Sequence, residues 1–200
     1  MKYGEEEILN LLSNWLSEKL FAHSLRVRET AKAMAERFGV NTEKAALAGL
    51  LHDYGKGIKE AEMLSEARKL GISINCVEER DPYLLHAPVG AKLISLSLKI
   101  KDHEIINAVS RHTVGEPSMS KLDMIIYIAD MIEPARSFPG LEKIRDLAGE
   151  NLMESFELAY AHTLTYLVNK RKFIHPKSFE VWNWIQLSKA KEEKLKKVSD

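Results

Sequence analysis

The stretch that most restricts what this chain can become is Ala45–Lys56, A-A-L-A-G-L-L-H-D-Y-G-K. It reads as an apolar helix of small residues that ends by presenting His52 and Asp53 side by side, with Lys56 three residues beyond Asp53. An imidazole and a carboxylate at the buried end of an apolar helix are costly to desolvate unless something pairs with them. A transition-metal ion is one such partner, since both donor types suit Fe, Mn, Zn or Co. Whether the rest of the chain supplies further ligands decides the matter.

Around that stretch nearly every segment repeats its apolar residues with helical period. Ile8, Leu11, Leu12, Trp15 and Leu16 form the stripe of an N-terminal helix. A second helix over Leu20–Phe38 is expected to close on Gly39, and Asn41 or Thr42 to cap the helix leading to His52. Further helices are expected at 60–70, from Leu85 or His86 with Pro88 in the first turn, and from a cap at Asp102 to about His112. Ser120 with Asp123 resembles a capping box, with Asp in the Glu position, ahead of a helix through Leu122, Ile125, Ile126 and Ala129 to Asp130 that Glu133-Pro134 stops. Helices at 141–148, 151–169 and 178–197 complete the chain, the last fraying into a solvated Lys-rich tail. No alternating strand pattern, repeat or low-complexity linker interrupts this. The expectation is an all-α, single-domain helical bundle over residues 1–200, with its motif core at 20–136 and the C-terminal helices, 141–197, packed on it.

With 200 residues the chain can bury a real core, and 45% hydrophobic with 29% charged residues is ordinary for a soluble protein. Lys+Arg and Asp+Glu balance at 29 each, so no bulk charge points to nucleic acid or an anionic membrane. The lone cysteine, Cys76, excludes an intrachain disulfide framework, fits a reducing compartment and reads as a partly buried small residue. The N-terminus, M-K-Y-G-E-E-E-I, carries no signal or transit pattern, and apolar runs fall short of the roughly 18 residues of a membrane span. A cytoplasmic protein is expected.

The chemistry-bearing residues then appear in a fixed order: His23, His52-Asp53, His86, His112 and Asp130, each near an expected helix end. That order resembles the HD-domain metal-dependent phosphohydrolases, in the subset with extra histidines for a second metal. The motifs H-S-L-R-V, A-A-L-A-G-L-L-H-D-Y-G-K, L-L-H-A-P-V-G-A, R-H-T-V-G, M-S-K-L-D, I-A-D-M-I-E-P-A-R-S-F-P-G and I-H-P resemble the YqeK-type branch. The resemblance implies an HD-type bundle that hydrolyses diadenosine tetraphosphate symmetrically to two ADP. Two positions depart from that branch: Ala87, where it has Gly, and Glu116, where it is often basic.

Hydrolysis of a phosphoric anhydride needs a water made nucleophilic near neutrality and relief of crowded negative charge, both of which metal ions supply. On the resemblance, Asp53 bridges two ions and His23, His52 and Asp130 complete the shell of the first. His86 and His112 hold the second or, with one ion bound, contact phosphate directly; two divalent ions are favoured. The donors suit iron or manganese, the resemblance tips this to iron, and manganese and cobalt stay open. Lys56 and Arg136 are expected on substrate phosphates, Asp53 and Lys56 being the catalytic pair, while Thr113 either donates to phosphate or caps its helix. His175, in I-H-P, is placed provisionally against the nucleotide. Arg26 is divided between the site and a salt bridge to Glu29 or Glu36, and Glu133 is read as salt-bridging rather than ligating. His103 reads as surface, His162 as structural, and Trp15, Trp182 and Trp184 as packing residues. Expected partners are a dinucleoside polyphosphate and ADP, with a homodimer left open and neither nucleic acid nor membrane. The alternatives are an HD phosphohydrolase acting on a nucleoside mono- or triphosphate or a cyclic dinucleotide, and a non-catalytic nucleotide-sensing module.

Overall fold

The computed structural model describes residues 4–199, and side chains through Lys191. Met1–Tyr3 and the side chains of the Lys-rich tail, on which two sequence expectations fall, lie outside the described residues. Among those described, the chain forms α-helices, short 3-10 turns and no strand: the all-α expectation holds. The helices are α1 (Glu5–Trp15), α2 (Glu18–Phe38), α3 (Thr42–Leu51), α4 (Glu60–Lys69), α5 (Cys76–Arg80) and α6 (His86–Ser97). They continue as α7 (His103–Arg111), α8 (Lys121–Ile132), α9 (Leu141–Ala148), α10 (Leu152–Asn169) and α11 (Pro176–Ser199). Turns at Tyr54–Gly57 and Pro82–Leu85 follow α3 and precede α6. Among the described residues no helix is long and apolar enough to cross a membrane.

Local chemistry sets the helix ends. Gly39 closes α2 in the left-handed region at φ 66, a conformation that costs an L side chain energy. The Asn41 side chain accepts from the Lys44 amide to start α3, and Asp102 accepts from the Glu104 and Ile105 amides to start α7. The Ser120 box forms despite its shorter acid: Asp123 N–H donates to the Ser120 hydroxyl while Ser120 N–H donates to the Asp123 carboxylate. Asp123 also receives Arg111 at 2.7 Å, a buried ion pair tying α7 to α8.

Helix α8 is the axis. Every residue from Leu122 to Ala129 is buried, as befits a helix apolar on all sides, and α2, α3, α7 and α10 pack around it. The small residues of α3 let it approach α2 closely: a Cβ on Gly49 would meet Arg28 Cα and the Val27 carbonyl at 3.1 Å each. This close approach sets His23 on α2 beside the end of α3. A second, smaller core of Met63, Ala67, Leu85 and Val89 lies beneath α4 and α6. Cys76 is a correction: it opens the five-residue α5, half-clear of that core, and is exposed. His103 is exposed as expected. Trp15 is partly exposed and lies against the site's supporting turn, donating to the Tyr54 carbonyl at 2.8 Å with its ring stacked on Tyr54 at 5.5 Å.

Candidate metal centre and nucleotide cavity

The ends of α3, α6, α7 and α8 and the middle of α2 converge on one buried point. His52 caps α3 and Asp53 follows it; both are fully buried. His52 Nδ1 lies 2.8 Å from the Gly49 carbonyl, His86 Nδ1 2.5 Å from that of Tyr83, and His112 Nδ1 2.8 Å from that of Val109. A carbonyl only accepts, so in all three rings Nδ1 carries a proton, and in the neutral form of each ring Nε2 is the free lone pair. His23 Nδ1 likewise donates to Glu133 Oε1 at 3.2 Å, a group that holds Arg26 Nε at 2.6 Å and the Ala135 amide at 2.7 Å.

The four Nε2 atoms therefore point inward, in two close pairs. His23 and His52 approach to 3.2 Å, His86 and His112 to 3.0 Å, distances at which two lone pairs repel unless a cation lies between them. Asp53 stands between the pairs. Its Oδ2 is 3.3 Å from His52 Nε2 and 3.9 Å from His23 Nε2; its Oδ1 is 3.4 Å from His86 Nε2 and 3.5 Å from His112 Nε2. Asp130 Oδ1 is 2.9 Å from His23 Nε2. Asp53 Oδ1 is buried without a hydrogen-bond partner, a costly state for a carboxylate oxygen. Converging bare imidazoles and an orphaned carboxylate oxygen fit divalent metal, and His23, His52 and Asp130 form one group able to hold an ion, His52, Asp53 and His112 another.

The protonation equilibria reflect the same crowding. Burial resists charging His52, yet the Asp53 carboxylate beside it, and then Asp130, hold its pKa above the usual value. His86 goes the other way: burial, then the His112 and Lys56 charges, push it down to about 3. Burial opposes ionisation of Asp53 and Asp130, but His52 beside Asp53, and His23 and His52 beside Asp130, keep both carboxyls below the ordinary range.

The backbone around the centre is held by contacts with no slack. A Cβ on Gly55 would lie 2.1 Å from the His86 carbonyl oxygen, and one on Gly90 would lie 2.8 Å from the Gly55 amide. Two glycines thus let the turn carrying Lys56 press on α6 and bring Asp53 to His86. Arg145, from α9, donates to the carbonyls of Ile132 and Glu133 at 3.1 Å and of Arg136 at 3.3 Å, fixing the loop after α8. On the open side lies a cavity of about 450 Å³, of small-molecule size. Lys56, His86, His112, Thr113, Asp130 and Arg136 form its inner end, and Tyr127, Met131, Phe138, His162, Thr163 and Tyr166 its outer wall.

The HD-domain family pattern matches residues 20–135. The chain belongs to the HD-domain family. Within the family, the symmetrical bis(5'-nucleosyl)-tetraphosphatase of Bacillus subtilis (strain 168) is 35% identical over 182 residues, 91% of this chain and 97% of the relative. The protein of the same name from Staphylococcus aureus is 34% identical, spanning 92% and 95%. A solved HD superfamily hydrolase of Clostridium acetobutylicum, described as involved in NAD metabolism, superposes with a TM-score of 0.90 at 34% identity, covering 94% of this chain and all of the other.

Against this HD-domain geometry, His23, His52, Asp53, His86, His112 and Asp130 do converge. Lys56 Nζ reaches Asp53 Oδ2 at 2.8 Å from a 3-10 turn rather than a continued helix. Arg136 pairs with Asp130 at 2.5 Å and faces the cavity. The Thr113 hydroxyl is 3.1 Å from Nε2 of both His86 and His112, so it serves the histidines rather than capping its helix. Arg26 bonds Glu133 and neither Glu29 nor Glu36. His175 is a correction: it does not line this cavity. Its ring meets Asn75 Nδ2 at 2.8 Å and Glu78 at 3.4 Å and accepts from the Lys177 amide, joining α5 to the start of α11. Glu116 is paired with Lys177 at 2.6 Å and is spent on that same junction. His162, read as structural, packs on Phe138 with ring centroids 4.5 Å apart and also lines the cavity. His162 and Tyr166, at i and i+4, share the face of α10 that lines the cavity.

Proposed function

We propose that this chain is a diadenosine tetraphosphate hydrolase that cuts between the central phosphates to give two ADP, using two divalent ions. Asp53 carries this reading, because its two oxygens face two separate histidine pairs. In this reading His23, His52 and Asp130 would hold one ion and His86 and His112 the other, with Asp53 serving both. When bound, such ions would lower the pKa of water toward neutrality and neutralise phosphate charge. The imidazole and carboxylate donors suit iron, manganese or cobalt, and the family resemblance tips the reading to iron.

The chain's own groups do the positioning. Lys56, whose pKa Asp53 and Tyr83 raise against burial, stays an ammonium and meets a non-bridging phosphate oxygen. Arg136 exchanges its grip on Asp130 for a bidentate one on phosphate. The Phe138–His162 ring pair and Tyr166 offer an aromatic wall against which an adenine stacks, and so set the inner phosphates at the centre. Water adds to one inner phosphorus, the bond from that phosphorus to the central bridging oxygen breaks, and ADP leaves on each side. Because both products are ADP, nothing need distinguish attacked from leaving half. Residues 1–200 act as one domain in this scheme, on free nucleotides of the cytoplasm. Protein loaded anaerobically with Fe²⁺ or Mn²⁺ should convert diadenosine tetraphosphate to ADP alone by anion-exchange chromatography. AMP plus ATP, or no product, would refute the proposal.

A further inference from the structure

A dinucleotide has two nucleosides, and the cavity walled by Phe138 and His162 accounts for one. A second cavity, of about 360 Å³, adjoins the first at Lys56, Tyr83 and His86. Its walls are Leu20 from α2, Ile58 after the 54–57 turn, Met63 of α4, and Pro82 and Tyr83 before α6, with Lys59 at the rim. The two cavities share Lys56, Tyr83 and His86 and no other lining residue. The shared ridge includes His86, whose Nε2 lies 3.4 Å from Asp53 Oδ1, and Lys56, whose Nζ lies 2.8 Å from Asp53 Oδ2. On the ridge the Lys56 ammonium stands 5.1 Å from the Tyr83 ring centroid, and Tyr83 is half-exposed, with ring surface open to solvent.

Accepting the dinucleotide substrate proposed above, we infer that the second adenosine occupies the Leu20–Ile58–Met63–Pro82 cavity, with the phosphate chain crossing the Lys56–Tyr83–His86 ridge. Three observations carry this. Leu20, Ile58, Met63 and Pro82 give apolar walls that suit a base face, with Lys59 and Glu60 also lining the cavity, whereas the ridge carries the Lys56 ammonium and suits phosphate. The ridge lies at the metal centre, so a chain laid across it presents its middle to the reacting groups. Two cavities that meet only at this ridge give each nucleoside a place of its own, with the phosphates between them, as cleavage between central phosphates requires. A chemically symmetrical substrate is then read by two unlike walls, and either of its ends suits either wall.

Binding isolates the second cavity without depending on turnover. The probes are diadenosine tetraphosphate with a methylene bridge between the central phosphates, and adenosine 5'-tetraphosphate, which lacks the second nucleoside. Calorimetry is run on the wild type, Ile58→Gln, Leu20→Gln and Phe138→Ala, each checked for an unchanged melting temperature; Met63 is left intact because it belongs to the small core. The two polar variants should weaken the dinucleotide about tenfold and leave adenosine tetraphosphate unchanged, as expected when one base loses its apolar contact. Phe138→Ala should weaken both. If Ile58→Gln and Leu20→Gln bind both probes as the wild type does, or weaken both equally, the second subsite is refuted. Hydrolysis of diadenosine tetraphosphate by the wild type is measured beside this: its absence would refute the proposed activity, while selective loss of dinucleotide binding would still establish the subsite.

Discussion

Replacing Gly55 by alanine tests whether the contact between the Lys56 turn and α6 sets the metal centre. The added Cβ would sit 2.1 Å from the His86 carbonyl oxygen and 2.9 Å from the Gly90 amide, both backbone atoms that no rotamer change can move aside. Ordinary contact begins at 3.4 Å, so turn and helix must separate by about 1.3 Å, the difference between 3.4 and 2.1. His86 moves with its own carbonyl, and its ring is anchored to Tyr83 in the same segment, so the displacement reaches the 3.4 Å approach to Asp53. Overpacking of this kind costs about 1–3 kcal/mol of stability. A misplacement near 1 Å at a reacting centre costs on the order of 10²-fold in rate. The expected variant is folded, less stable by that amount in urea unfolding, depleted in one of two metals by elemental analysis, and about 10²-fold lower in kcat/KM. Gly71→Ala is the control: its φ of 69 strains any side chain, but nothing lies within 4 Å of the new Cβ, so stability alone should fall. Wild-type metal content and kcat/KM in Gly55→Ala would show that this contact does not position His86.

Asp53→Ala should abolish metal binding and hydrolysis together, and full activity in that variant would overturn the bridging role. Glu133→Gln, which weakens the hold on His23 Nδ1 and frees Arg26, should cut metal affinity roughly 10–100-fold in a chelator competition with little change in fold. Phe138→Ala and His162→Ala should raise KM for the dinucleotide about tenfold with kcat preserved, since they face the base and not the phosphates; an effect on kcat alone would contradict that. In the metal-free protein, His86 binds its proton only near pH 3 when folded but at about 6.5 when unfolded, so stability falls as pH drops through that window, by up to about 1.4 kcal/mol per pH unit. His52 has the opposite sign: its contribution is complete below about pH 6.5 and is lost as pH rises through its elevated folded pKa. Urea midpoints of metal-free protein should therefore peak near pH 6.5, and a steady rise from pH 5 to 8 would contradict the assignment.

The parts of the fold legible in the sequence are those decided within a few residues. Gly39, Asn41, Asp102 and the Ser120–Asp123 pair each declare a helix end, because a left-handed glycine, or a side chain bonded to an amide three or fewer positions away, is a local feature. The convergence of the metal-site residues was legible too, through their order along the chain. What escaped is decided by partners distant in sequence. Arg145 reads as an ordinary helix arginine until α9 turns it onto three carbonyls of the loop after α8. His175 sits in a motif-like I-H-P, yet its ring is claimed by Asn75 and Glu78, a hundred residues earlier for Asn75. His162 looks structural in mid-helix because periodicity separates inward from outward faces and cannot tell solvent from a ligand cavity.

Each Nδ1–H of His52, His86 and His112 is bound to a carbonyl three residues earlier, so each ring is aimed by its own helix turn before any ion arrives. The rings meet only when α2, α3, α6, α7 and α8 are in place, and the donors span His23 to Asp130. A chain still emerging from a ribosome thus has no complete centre until Asp130 and Glu133 are outside the exit tunnel. A zinc finger folds around its ion; here the donors come together only as the bundle assembles, so a bound ion adds stability to a fold whose helices, caps and core are set by the chain itself.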